Sequence, residues 1–271
     1  LVGVKISKKL SVNSKIFSWQ EFQNIEKAFY RAIRKTNKNV FIYGCEFLIK
    51  YKNYLSMHIT DTDVRLQVVP HRTFTNGAYN YSKSSRHNFS NGVSLRYKKL
   101  FNHVGEFGNM SGMLVLLSYN VLESKNLLTI MENKENIKLK LHPTTSEKQF
   151  NFYMKSSWSY VHDDLYKLFK KVNIVFVPSL SGSAVEAVAC GISVIVIANT
   201  DKLLVNSLVD FGKGKIWDIV YNKEELESKV TTLIKYRKSN KNEIRLISDW
   251  YRNNFFINPT RDNITKVFKL D

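Results

Sequence analysis

Two short segments of the 271-residue chain carry side chains suited to handling a phosphate. One is Lys140-Leu141-His142-Pro143-Thr144-Thr145, which closes an apolar run. The other, about forty residues on, is Pro178-Ser179-Leu180-Ser181-Gly182-Ser183, which leads straight into SAVEAVACG. A Ser-Gly-Ser turn at the start of a helix offers backbone N–H groups, hydroxyl donors and the positive end of the peptide dipoles, and its glycine lets the backbone come close to a ligand. An imidazole across from it can donate to a phosphate oxygen, or protonate that oxygen as it leaves. Each segment also has a plainer reading. Ser181 or Ser183 could simply cap the helix, and a single histidine at a strand end is often no more than a satisfied polar residue. The pairing of the two at strand ends of one sheet favours a site, with Pro143 fixing the direction in which the chain departs.

Further acids and bases stand where a second lobe could supply them. Glu186 falls one turn into the helix after the serine turn, where it can complement the dipole or meet a ligand. Glu46, in FIYGCEF, is an acid ending an apolar strand, and burial would lift its carboxyl toward the range of a general base. His71 and Arg72 follow VRLQVVP, read as a strand, with Asp61 and Asp63 ahead of it. Glu46 and His71 are the candidate catalytic groups on that side, and His142 is the third.

These side chains need a frame, and the second half of the sequence provides one. MLVLLSY (113–119), IKLKLHP (137–143), NIVFVP (173–178), SVIVIA (193–198) and KIWDIVY read as strands. Helix-like stretches alternate with them: NVLESKNLLTIMEN, DDLYKLFKKV with Leu165, Leu168, Phe169 and Val172 on one face, SAVEAVACG, KLLVNSLVD and EELESKVTTLIKYRK. Asp163 and Asp164 suit a helix start, and Gly191 sits where helices end. Continuous apolar strands separated by amphipathic helices predict an α/β fold, a doubly wound parallel sheet of Rossmann type. Ligands bind at the carboxyl ends of such strands, where both segments fall.

The first half predicts a smaller α/β lobe. QEFQNIEKAFYRAIRK reads as a helix with Phe22, Ile25, Phe29 and Ile33 along its stripe, NVFIYGCEFLI and VRLQVVP as strands, and 72–92 as a long turn-rich loop. A boundary near 105–111 divides the chain into an amino-terminal lobe, 1–108, and a second domain, 109–271, whose last segment is a closing helix.

Composition narrows the classes. At 44% hydrophobic and 13% aromatic the chain can bury a large core. Lys and Arg number 41 against 23 Asp and Glu, a net charge of +18. Such an excess suits nucleic acid, an anionic membrane face or an anionic substrate. Abundant Lys, Asn and Ile also fit the drift of an AT-rich genome. No helix-turn-helix, zinc or RNP-like pattern accompanies the charge, so nucleic acid is not an expected partner. Cys45 and Cys190 lie in apolar stretches and read as buried thiols of a reducing compartment. No metal-ligand spacing and no spanning apolar run appears, and the start, which lacks Met, carries no signal-peptide pattern, as in a trimmed chain.

KLHP after a strand, followed by VFVPSLSGSAVEAVACGISVIVI, resembles the carboxyl-terminal domain of GT-B glycosyltransferases. More narrowly it resembles bacterial enzymes that use CMP-activated sugars, the sialyl-, polysialyl- and Kdo-transferases of capsule and lipopolysaccharide synthesis. Residues 136–200 carry the motifs, and the resemblance makes 1–108 an acceptor-side lobe and 109–271 the nucleotide-sugar domain. FIYGCEF, VRLQVVPH, GVSLRYKKLF and DWYRNNFFINPTRDNITKVF resemble other parts of such proteins more loosely, and the amino-terminal lobe is short for a complete acceptor domain. The resemblance implies that His142 and Pro143, with Ser181, Gly182 and Ser183, hold the CMP phosphate, and that Glu186 meets the ribose. It implies no cofactor beyond the nucleotide-sugar donor, no metal, an acceptor glycan or glycolipid, and a cytoplasmic enzyme peripheral to the inner membrane. A UDP- or GDP-sugar enzyme, a nucleotide-sugar epimerase, and a basic nucleic-acid- or lipid-binding protein are the alternatives.

Overall fold

The computed structural model describes residues 2–50, 58–79, 84, 86–103, 112–201 and 203–269. It divides into two compact units, one of residues 1–98 and 253–271 and one of residues 99–252. The expected boundary near 105–111 lies outside the described residues.

The first unit contains α1 (Val2–Ser7), β1 (Lys15–Gln20), α2 (Asn24–Thr36), β2 (Phe41–Glu46), α3 (Asp61–Arg65), β3 (Arg72–Thr75) and β4 (Phe89–Asn91). Its four strands pair in the order β1-β2-β3-β4, all parallel. The start of α2 is fixed by the Glu26 carboxylate, which accepts the amides of Glu21, Phe22 and Gln23. Tyr30 and Ile33 are the helix's fully buried side chains, and Ile25 is 80% exposed, so the buried stripe is rotated from the one its periodicity predicted.

Two other expectations fail here. VRLQVVP is not a strand: the Thr60 hydroxyl accepts the Asp63 amide at 3.2 Å and the Asp63 carboxylate accepts the Thr60 amide at 3.0 Å, a reciprocal cap that starts α3. Capping thus outweighs the alternation of side chains that suggested β structure. Nor is 72–92 a single loop, since it contributes both β3 and β4.

The chain leaves this unit within α4 (Lys98–Phe101). The second unit follows with β5 (Gly112–Leu116), α5 (Val121–Ile130), β6 (Ile137–Lys140), β7 (Ser159–Tyr160), α6 (Leu165–Phe169), β8 (Val172–Pro178), α7 (Ser183–Ala189), β9 (Ser193–Ile197), β10 (Trp217–Val220) and α8 (Lys223–Ser239). Its sheet is parallel throughout, in the order β10-β9-β8-β5-β6-β7. β9 and β10 are buried along their whole length and β8 nearly so, as strands covered on both faces must be. β6, one place in from the short edge strand β7, alternates buried Ile137 and Leu139 with half-buried Lys138 and Lys140.

α7 ends at Ala189 with Cys190 as its cap, and Gly191 adopts φ +76°, the left-handed conformation expected just past a helix. α6 is shorter than its periodicity suggested, because Val172 already belongs to β8. KLLVNSLVD is not a helix among its described residues. The Asn206 side chain accepts the Leu208 amide at 3.1 Å, and Ser207 spends its hydroxyl on the Ser181 carbonyl, so side-chain bonds replace the helical ladder.

The chain returns to the first unit within α9 (Lys241–Phe255) and ends in α10 (Arg261–Phe268). The closing helix was expected in the nucleotide-sugar domain. Instead Phe268 packs with Cys45, Phe74 and Val93, its ring edge-on to Phe17 and Phe74 at 5.1 Å each. Both cysteines are free and buried. No described helix is long and apolar enough to cross a membrane.

Candidate functional site

Counted from its own first strand, the sheet of the second unit runs 3-2-1-4-5-6. In that order β5 is the first strand, and the direction of winding reverses between β5 and β8. Open α/β sheets bind ligands just beyond the carboxyl ends of the strands at such a reversal. His142 follows β6 and Ser181–Ser183 follow β8, on either side of β5. Two strand spacings, about 10 Å, separate those strands.

The segment between them, after β5, was not singled out in the sequence. Its turn is tied down by polar bonds. The Ser124 hydroxyl accepts the Ser118 amide at 2.8 Å and donates to the Ser118 carbonyl at 3.2 Å. Asn120 caps α5, its side-chain oxygen accepting the amides of Leu122 and Glu123. Tyr119, between these anchors, is half exposed and meets the His142 ring edge-on, with centroids 5.9 Å apart. A serine followed two residues later by a capping asparagine, after a buried strand, was the available signal.

His142 sits in a tight turn. The Thr145 amide and hydroxyl both donate to its carbonyl at 2.9 Å, with Pro143 exposed between them. Its Nδ1 lies 2.8 Å from the Thr144 hydroxyl and accepts the Thr144 amide at 3.3 Å. An Nδ1 that accepts from an amide puts the proton of the neutral ring on Nε2, the nitrogen on the far side from the turn.

The serine turn differs in detail from the expectation. Gly182, in helical conformation, is the residue ahead of α7, and no serine side chain caps the helix. The amides of Ala184 and Val185 already bond to the carbonyls of Ser181 and Gly182, at 3.3 and 3.1 Å. For an anion the turn therefore offers its hydroxyls and the amides ahead of Ala184. Its backbone is pinned by Ser207, whose hydroxyl donates to the Ser181 carbonyl at 2.7 Å. Glu186, one turn on, accepts a hydrogen bond from the Tyr166 phenol.

The two catalytic candidates of the first unit do not come together. Glu46 ends β2, as expected, but its carboxylate is only 2.5 Å from the Lys50 ammonium, with both side chains almost fully buried. Burial pushes its carboxyl up, against the pull of Lys50. A carboxylate already engaged by a buried cation is poorly placed to take a proton from a substrate. His71 lies at the other end of the strands, just ahead of β3, where its Nδ1 accepts the Ile42 amide at 3.0 Å and its ring stacks on Phe41. Burial, with Arg34 nearby, lowers its pKa to about 4. It completes the sheet's hydrogen bonding. Among the described residues no group of three His, Cys, Asp or Glu side chains is arranged to hold a metal ion.

Solved structures share this architecture. MurG of Acinetobacter baumannii superposes with a TM-score of 0.57 at 14% identity, over 99% of this chain and 76% of MurG. The spinosyn forosaminyltransferase SpnP gives 0.59 at 8% identity, over 98% of this chain and 77% of its own. UGT89C1 of Arabidopsis thaliana, complexed with UDP, gives 0.53 at 8% identity, over 98% and 74%. The chain has the two Rossmann-like units of the GT-B fold. No protein-family model matches the sequence, and no curated protein does. The second unit is the one whose strand order and strand-end residues mark a candidate ligand site.

Proposed function

We propose that this protein is a glycosyltransferase that moves a sugar from a nucleotide-activated donor to an acceptor glycan or glycolipid, with the donor held by the second unit. The observation that carries the reading is the 3-2-1-4-5-6 sheet, with Tyr119 and His142 beside one another after β5 and β6 and the Ser181–Ser183 turn after β8. His142 donates Nε2–H to a phosphate oxygen, or protonates it on departure. Ser181, Gly182 and Ser183 hold the same phosphate, Pro143 sets the turn, and Glu186 accepts from the ribose. The KLHP and SGS motifs support a CMP-linked donor carrying a sialic acid- or Kdo-like sugar of a bacterial surface polysaccharide. The UDP bound in the plant neighbour supports a UDP-linked donor as the second reading.

Calorimetric titration with CMP, UDP and GDP separates these. CMP is expected to bind, and His142→Ala to weaken it by about 1.5–3 kcal/mol, the range for a charge-assisted hydrogen bond. Tighter binding of UDP or GDP would replace the donor assignment. No nucleotide binding, or unchanged CMP affinity in folded His142→Ala protein, would sink the site.

Exposed basic residues of the first unit support a peripheral role at an anionic membrane. Lys5, Lys8, Lys9, Lys15, Arg31 and Lys35 are exposed there, whereas Arg34 turns inward to the Val69 carbonyl at 3.0 Å.

A further inference from the structure

Glu186 owes its place to two elements that flank β8. It stands one turn into α7, which begins just beyond the carboxyl end of the strand, and its partner Tyr166 stands on α6, which leads into the strand. Both backbones are fixed. The Tyr166 amide bonds to the Asp164 carboxylate at 3.1 Å, and Asp164 is held in turn by Lys99 at 2.7 Å. The Tyr166 ring lies edge-on to Phe169, which is fully buried. At the far end of α7 the Arg252 guanidinium donates to the Ala189 carbonyl at 2.7 Å, and Arg237 donates to the Gly191 carbonyl. With helix and phenol both held, the bond from Tyr166 to one carboxylate oxygen restrains the Glu186 side chain.

We propose that Tyr166 is a positioning residue for nucleotide recognition. It holds Glu186 in the one rotamer whose second oxygen accepts from the ribose diol of the donor. The inference rests on the nucleotide-sugar reading above and extends it to a residue outside the two motifs. A carboxylate only accepts hydrogen bonds and a ribose diol offers two donors, so the pairing is chemically matched. An unheld glutamate spreads over many rotamers, and ordering it on binding costs affinity. Tyr166 removes that cost before the ligand arrives.

The experiment compares CMP and UMP with their 2′,3′-dideoxy forms, by calorimetry, on the intact protein and four variants: Tyr166→Phe, Glu186→Ala, the double variant and His142→Ala. The wild type is expected to prefer the ribonucleotide by about tenfold, the scale of one hydrogen bond to a charged group. Tyr166→Phe should reduce that preference to about twofold, and adding Glu186→Ala should reduce it no further, because residues acting through one bond are not additive. The melting temperature of Tyr166→Phe should stay within about 4 °C of wild type. A purely structural tyrosine would weaken both nucleotide forms alike and leave their ratio intact. An unchanged ratio in Tyr166→Phe, with Glu186→Ala losing it, overturns this inference and leaves the phosphate site standing. An unchanged ratio in Glu186→Ala, with His142→Ala abolishing binding, removes Glu186 from the ribose and Tyr166 with it. If neither nucleotide binds the wild type, both readings fall together.

Discussion

In the six-stranded sheet the interior is chiefly Val, Ile, Leu, Phe and Trp. Leu114, Val175, Phe176, Ile195 and Trp217 are all at or below 1% exposure. In the four-stranded sheet the corresponding space holds Gln20, Glu46, Lys50, Thr73 and His87, all buried. Thr73 donates to the Gln20 side-chain oxygen at 2.9 Å and lies 2.8 Å from His87 Nε2. Since the threonine has one proton to give, His87 donates its own Nε2–H to the hydroxyl. Gly44 is required beside them, because a Cβ there would fall 1.9 Å from the Gln20 oxygen. Parallel pairing is thus secured in the second unit chiefly by apolar contact, whereas the first unit adds to its apolar clusters a set of buried charges and hydrogen bonds that lose their value if a single member is removed.

The largest effect that would sharpen this contrast comes from Lys50. Replacing it by Met leaves the Glu46 carboxylate buried without its counter-charge, which should destabilise the first unit by about 3–5 kcal/mol. Hydrogen exchange at the β2 and β3 amides is the readout, since it separates this unit from the β8 and β9 amides of the other. Changing both partners, with Glu46→Gln added, should restore most of the loss. Exchange within about 1 kcal/mol of wild type in Lys50→Met would break the comparison.

Acid should act on one unit more than the other. His71 and His87 have pKa values lowered to about 4, in each case chiefly by burial, then by Arg34 at His71 and by Lys50 and Arg34 at His87. An unfolded histidine titrates near 6.5. Between about pH 6.5 and 4 the unfolded chain therefore binds more protons than the folded one, and the first unit loses stability as the pH falls through that window. Glu46, pushed up by burial, works in the opposite sense. The histidine share is isolated by His71→Gln with His87→Gln, which should flatten the loss seen by hydrogen exchange between pH 7 and 4.5. An equal loss in both units, or a slope unchanged in the variant, would count against it.

The smallest effect belongs to the apolar unit. Ser207→Ala removes one bond to the Ser181 carbonyl and should cost about 1 kcal/mol of stability, with CMP affinity falling alongside as the turn loosens. A stability loss with no change in affinity would separate the turn from the nucleotide.

The same contrast explains what could be read from the sequence. Uninterrupted apolar runs such as NIVFVP and SVIVIA have one solution in an α/β protein, a strand covered on both faces, so β8, β9 and their sheet were legible from the residues alone. In the other unit, Thr60 and Asp63 turned an alternating run into a helix start, and two short strands lay inside a stretch rich in turn residues. His142 and the serine turn were legible because each follows an apolar strand. Tyr119 and Tyr166 were not, because a tyrosine's role depends on which strand ends are neighbours, and strand order is not written in local periodicity. Glu46 was found for the right reason, an acid at a strand end, but its cation, Lys50, turned it from a candidate base into half of an ion pair.

Residues 253–268 complete the first unit, so that unit is assembled from two segments separated by the whole of the second unit. A growing chain ordinarily folds its amino-terminal domain first. Here residues 99–252 form an uninterrupted unit that can be finished on the ribosome, whereas β1 to β4 must wait for Phe268 to emerge before the cluster around Cys45, Phe74 and Val93 can close. The order of assembly is thereby reversed: the second unit can close first, and the first stays open until residue 268 has been made.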